Sequence, residues 1–193
     1  MILELVQTMA LLLALSLLHG LSMRCLAASP RLARIASGVI FGAVCLIGMM
    51  IPIQLAPGVI VDGRSVLLSM AGLFGGPVTG LIAGAIAGAY RVWLGGSGMA
   101  IGTTVIALGV ALGLGYRAAW ARGWVARTPL KLFAFGVAVH ALSMVLIGLV
   151  PEQGIAKVYA TLGMPYLLIM GAATALLGLL LQDLEARQHN ERV

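Results

Sequence analysis

The sequence predicts an all-α, polytopic membrane bundle, and three observations lead there. Of its 193 residues, 61% are hydrophobic and only 9% charged, with a mean hydropathy of +1.09. No water-soluble core hides that much apolar surface, so lipid must solvate most of the chain. The apolar residues come in continuous runs rather than alternating ones, which argues against a β-barrel. The net charge of +6 is not gathered on one face, as a nucleic-acid surface would require; the basic residues sit at the ends of hydrophobic runs.

Taken in order, the first run, 2–22, opens "MILELVQTMALLLALSLL". It lacks a basic leading segment and carries Glu4, so it reads as a retained helix and not a cleaved signal. "SMRC" is also a poor lipoprotein cleavage site. Four runs approach the roughly 20 apolar residues a crossing needs: 2–22, 35–55, 99–116 and 132–150. A fifth, 158–182, carries Pro165 in its first third. The run 65–94 is ambiguous: one long crossing with a kink, or two short helices meeting at Gly75-Gly76-Pro77. Charge decides between them. Arg24, Arg31 and Arg34 mark the 23–34 loop as cytoplasmic, and Arg117, Arg122, Arg127 and Lys131 mark 117–131 likewise. Helix 35–55 then leaves toward the outside and helix 99–116 must enter from it, so the segment between starts and ends on the outer side. The expectation is five full spans plus a broken, re-entrant pair at about 65–94. The N-terminus is then outside and the C-terminus cytoplasmic.

The break has its own chemistry. Proline costs nothing at the first position of a helix, so "GGP" reads as a stop followed by a fresh start. Broken helices persist in membranes where protein or a cavity satisfies the freed backbone groups, and they build sites near mid-bilayer. Gly80, Gly84 and Gly88 repeat every four residues, as do Gly38/Gly42 and Gly109/Gly113. Such stripes let backbones approach closely and predict a compact bundle with 77–91 in its interior.

Charges inside apolar runs are costly, so those present tend to have a partner or a job. Arg64 and Arg91 bracket the broken segment and, in the hairpin reading, share its outer side. Asp62 either pairs with Arg64 or caps a helix starting near Ser65. After Arg91, the turn Gly95-Gly96-Ser97-Gly98 precedes a new helix whose free N–H groups form an anion-binding concavity. Thr103 and Thr104 add hydroxyls about a turn and a half further in. Two arginine forks, a glycine turn centred on Gly96 and Ser97, and hydroxyls suit a small carboxylate. An arginine at such a boundary also serves simply as an interfacial anchor. No nucleophile–base pair, HExxH or phosphate loop is present, and Cys25 and Cys45 fall in different settings without CxxC spacing. Neither catalysis, nor a metal, nor a cofactor is expected. His19 and His140 read as hydrogen-bonded packing.

The stretch "PGVIVDGRSVLLSMAGLFGGPVTGLIAGAIAGAYRVWLGGSG" carries Pro57-Gly58, Asp62-Gly63-Arg64, Gly75-Gly76-Pro77, Tyr90-Arg91 and Gly95-Gly96-Ser97-Gly98 in order. It resembles the LytS/YhcK-type five-transmembrane receptor (5TMR-LYT) sensor domain of bacterial signalling proteins, sharply over 57–98 and diffusely elsewhere. The resemblance implies a sensory input module, usually fused to a histidine kinase or diguanylate cyclase. It also implies a homodimer, and recognition of pyruvate in some members by paired arginines at the positions of Arg64 and Arg91. Those members also use a cysteine and a serine in the helix after the glycine turn. This sequence offers Gly102 to Val105 there instead, which leaves a small anion in place while departing from pyruvate itself.

The organisation expected is a transmembrane sensor domain over 1–182 and a cytoplasmic tail over 183–193. No kinase or cyclase follows, so the expectation is a stand-alone module or a piece of a longer protein. The charged stretch "LLLQDLEARQHNER" would hand motion to a cytoplasmic signalling partner, or is simply a solvated helix end. Two other classes stay open. One is the substrate-binding membrane subunit of an energy-coupling-factor vitamin importer, for which Ala10 and Ala14 supply a docking spacing. The other is a scaffold or dimerisation module without ligand.

Overall fold

The computed structural model describes residues 2–26, 28–50, 53–56, 59–61, 63–96, 98–147 and 155–190. Pro57, Gly58, Asp62 and Ser97, all singled out above, lie outside the described residues. The elements are α1 (Ile2–Cys25), α2 (Pro30–Met50), β1 (Ile53–Ala56), β2 (Val59–Val61), α3 (Arg64–Met70), a π-helical turn (Ala71–Gly75), α4 (Gly76–Leu94), α5 (Met99–Ala121), α6 (Pro129–Ile147) and α7 (Ile155–Asn190). Among the described residues, five helical segments are long and apolar enough to cross a membrane, counting Arg64–Leu94 as one. The chain is a multi-pass membrane protein.

The helix starts follow from local chemistry. Pro30 and Pro129 each open a helix, where a missing N–H breaks no bond. Ser29 and Thr128 stand just before them, and their carbonyls accept the Ala33 and Leu132 N–H groups at 3.0 and 2.9 Å. That is why α2 and α6 begin several residues before the apolar runs suggested. Pro165 lies within α7, which continues as one helix into the charged segment and ends at Asn190. The run 35–55 reads as helical throughout; α2 instead ends at Met50, and Ile53–Ala56 is a strand. The structure forms a small antiparallel ribbon there, pairing Ile53 with Val61, Gln54 with Ile60 and Ala56 with Val59.

The break at Gly75-Gly76 is a reversal, not a kink. A Cβ on Gly80 would stand 3.2 Å from the Cα of Gly72. Eight residues of one straight helix would instead separate them by about 12 Å. Neighbouring helices give the same directions. Gly109 sits against Ser65 and Leu68, and Gly113 against Ser69 and Leu73, so α3 runs parallel to α5. Gly84 meets Val110 and Gly102 meets Arg91, so α4 runs antiparallel to α5. Gly38 meets Ile82 and Gly42 meets Ile86, so α2 and α4 run together. Residues 64–94 thus enter and leave at the same end of the bundle, as the charge argument required.

The hairpin is lopsided. α3 and its π turn have 7 and 5 residues, against 19 in α4. α3 begins level with Gly109, ten residues and about 15 Å along α5 from Met99. The short arm is the true interior: every residue from Ser65 to Phe74 is buried. This corrects the expectation that 77–91 would fill the centre. α4 buries one stripe, Gly76, Thr79, Gly80, Ala83 and Ala87, and turns Leu81 and Val78 outward. Around the short arm gather Phe41, Val44 and Cys45 of α2, Ile106 and Val110 of α5, and Leu177 and Leu181 of α7. The apolar side chains left outside, such as Leu17, Leu81, Leu130 and Leu168, meet lipid.

Candidate ligand-binding site

Arg64 is the first residue of α3, after an N-cap at Gly63 that has no side-chain cap bond. Because α3 starts part-way down the bundle, this guanidinium is carried well inside it. One Nη donates toward the sulfur of Met49 at 3.9 Å, near the end of α2. The side chain therefore points back toward the end where the hairpin opens.

Arg91 occupies the last turn of α4 and folds over the glycine turn, donating to the Gly95 carbonyl at 2.7 Å. Gly95 and Gly96 have φ of 64° and 83°, a left-handed backbone open to glycine and costly for other residues. They swing the chain from α4 into α5, whose first turn is held by Met99 N–H to the Gly96 carbonyl at 3.1 Å. The stem of Arg91 lies against Gly102 and its guanidinium against Gly98; a Cβ on Gly102 would collide with Nε of Arg91. Gly102 thus makes the groove in which the arginine lies, a role that α5's small-residue pattern did not announce.

Thr103 donates to the carbonyls of Met99 and Ala100 at 3.0 and 2.9 Å, and Thr104 to that of Ala100 at 2.8 Å. Both hydroxyl protons are engaged with their own helix. The structure brings Arg91, Gly96 and the start of α5 together; Arg64 comes from the other arm. Gly102 and Gly109 set their relative depth: seven residues of α5, or about 10 Å, separate the levels of Arg91 and Arg64.

The glycine stripes divide. A Cβ on Gly80 or Gly84 would stand 3.2 or 3.1 Å from Val110, whereas around Gly88 the space is open. Gly75 is filled against Thr79, and Gly76, with φ of 77°, makes the reversal itself. Pro77 follows in the first turn of α4, where its missing N–H is harmless.

At the opposite, basic end, the tip of the hairpin is held by residues read only as loop charges. Arg117 donates to the carbonyls of Leu73 and Phe74 at 2.8 and 3.0 Å, satisfying acceptors left bare where the short arm ends. The legible signal was spacing: Gly109, Gly113 and Arg117 follow at four-residue intervals on α5, opposite Ser65, Ser69 and Leu73. Thr79 donates to the Arg34 carbonyl at 2.9 Å. Arg127 stacks over Trp120 at 3.8 Å and Phe74 at 5.0 Å, and pairs with Glu185 of α7 at 2.8 Å. Gln182 donates to the Arg127 carbonyl at 2.7 Å. Both basic loops therefore meet around the hairpin tip, at one end of the molecule. His140 is buried with Nδ1 2.7 Å from the Gly136 carbonyl and its ring against Tyr166, a packing arrangement. Among the described residues no cluster of three or more His, Cys, Asp or Glu residues could hold a metal ion.

A family model described as 5TM-5TMR_LYT, the 5TMR of 5TMR-LYT, matches residues 18–184. No curated protein and no solved structure matches the chain.

Proposed function

The chain belongs to the 5TMR-LYT family of transmembrane sensor domains, and from that premise we propose that it binds a small carboxylate between Arg64 and Arg91. The ligand enters from the end where the hairpin opens, the outer side by the basic-loop count, in the bacterial inner membrane that the family resemblance implies. The observation that carries the reading is the chain reversal at Gly75-Gly76. It puts the head of one arm and the tail of the other on the same side of the reversal, their backbones about 10 Å apart in depth, a separation that two long arginine side chains can share around an anion.

Each arginine supplies a planar fork of donors suited to a carboxylate. Arg91 comes with a glycine turn whose backbone leaves room for a ligand, and Asp62 and Ser97 complete the set on sequence grounds. Thr103 and Thr104 contribute by rotating their hydroxyls off the helix backbone. Binding would draw the two arms together, and the hairpin tip would transmit the shift. Its Phe74 touches Arg127, and Arg127 is bonded to Glu185 on α7, whose charged end leads toward a cytoplasmic kinase or cyclase in a homodimer.

The test is calorimetry on the purified chain in detergent, with pyruvate and a series of short carboxylates as probes. Saturable heat is expected from at least one of them, and Arg64→Ala and Arg91→Ala should each abolish it. Binding that survives in both variants would overturn the assignment.

A further inference from the structure

A second pocket lies at the other end of the molecule, away from Arg64 and Arg91. It is a cavity of about 190 Å³, lined by His19 and Met23 of α1, Arg34 and Ser37 of α2, Phe74, Gly75 and Thr79 at the hairpin tip, Arg117 of α5, and Leu184 and Glu185 of α7. Its walls hold donors in excess of acceptors. Arg117 spends one Nη on the hairpin tip, while its Nε and other Nη lie 3.4 and 3.8 Å from where a Cβ on Gly76 would stand. The helix that starts there, α4, has no side-chain cap bond at its N-terminus.

Two buried side chains point to an occupant. Ser37 is 1% exposed and His19 7% exposed, and both line the cavity. Among the described residues, neither the Ser37 Oγ nor the His19 Nδ1 has a hydrogen-bond partner. Buried polar atoms without partners are costly, and the two residues that carry them wall this cavity, where a ligand would supply a partner. The one carboxylate in the wall, Glu185, is already paired with Arg127 at 2.8 Å. The free side of the Arg117 guanidinium, the helix start, and the lining residues Arg34, Ser37 and His19 remain for the guest.

We infer that this cavity binds a phosphate-type oxyanion, bridging the hairpin tip to α1, α2 and α7 at the basic end of the bundle. The chemistry is shared by free phosphate and by the headgroup of an anionic lipid, whose chains would run along Met23 and Leu184. The site is separate from the carboxylate site and does not depend on it.

The experiment uses the full chain in nanodiscs. In phosphatidylcholine discs, inorganic phosphate is titrated by calorimetry. Discs containing phosphatidylglycerol are analysed in parallel for lipid retained through native mass spectrometry. Saturation by inorganic phosphate assigns the free ion, and selective retention of phosphatidylglycerol assigns the lipid; either supports the site. Arg34→Gln and Ser37→Ala should each weaken that binding about tenfold or more, the scale of one charge-assisted hydrogen bond. Ser37→Ala removes a single hydroxyl and keeps the result readable if Arg34→Gln inserts poorly. An unliganded Tm equal to that of the parent chain would confirm that the variants fold. Absence of both phosphate and phosphatidylglycerol binding, or binding equal in parent and variants, would overturn the inference.

Discussion

At the scale of single residues, Arg91 and Gly102 act as a pair. The arginine was recognisable because a charge beside an apolar run is expensive. The glycine was not, because eleven residues and a sharp turn separate the two in sequence. A methyl group at Gly102 fills the groove that Arg91 occupies. Gly102→Ala is therefore expected to reduce carboxylate affinity on the order of tenfold by displacing the guanidinium. Gly88→Ala should change nothing, since the space around Gly88 is open. Titration of both variants against the parent chain distinguishes a groove from a generic helix effect. The same comparison shows why a stripe of glycines is an incomplete guide: the spacing is equal at 80, 84 and 88, and the neighbour is not.

At the scale of elements, the hairpin rests on Gly76. Its φ of 77° with ψ of −166° is open to glycine and closed to residues with a side chain. Gly76→Ala is expected to lower stability by about 1–3 kcal/mol, read as a fall in Tm in detergent. Gly48→Ala serves as the reference, with nothing within 4 Å of its Cβ position. Gly113 is a second fixed point, because a Cβ there would collide with the Ser69 carbonyl. Gly113→Ala should push α5 off the short arm and cost about 1–3 kcal/mol through overpacking. The Gly-Gly-Pro signal located this break from sequence. The π turn before it carried no signal, since widening a helix by one residue per turn depends on what packs around it.

At the scale of the whole molecule, the short arm links the level of Arg64 to the basic end of the bundle. Its head carries Arg64, and its tip touches Arg117 and Arg127, the latter bonded to Gln182 and Glu185 on α7. Cutting that second contact should separate binding from transmission. Arg127→Ala is expected to keep carboxylate affinity while losing ligand-dependent hydrogen-exchange protection along the charged end of α7. Protection that persists in the variant would place the route elsewhere.

The sequence by itself determined the solvent, the helical multi-pass class and the position of the break. Each of these follows from composition, run length or local backbone preference, which neighbouring residues settle among themselves. Tertiary structure decided that the short arm and not α4 fills the interior, that Arg117 caps the hairpin tip, and that Gly102 seats Arg91. Those outcomes depend on which distant segments touch, and at what depth. Inside lipid, bare carbonyls and charges must find their partners within the protein, and only the folded arrangement specifies which.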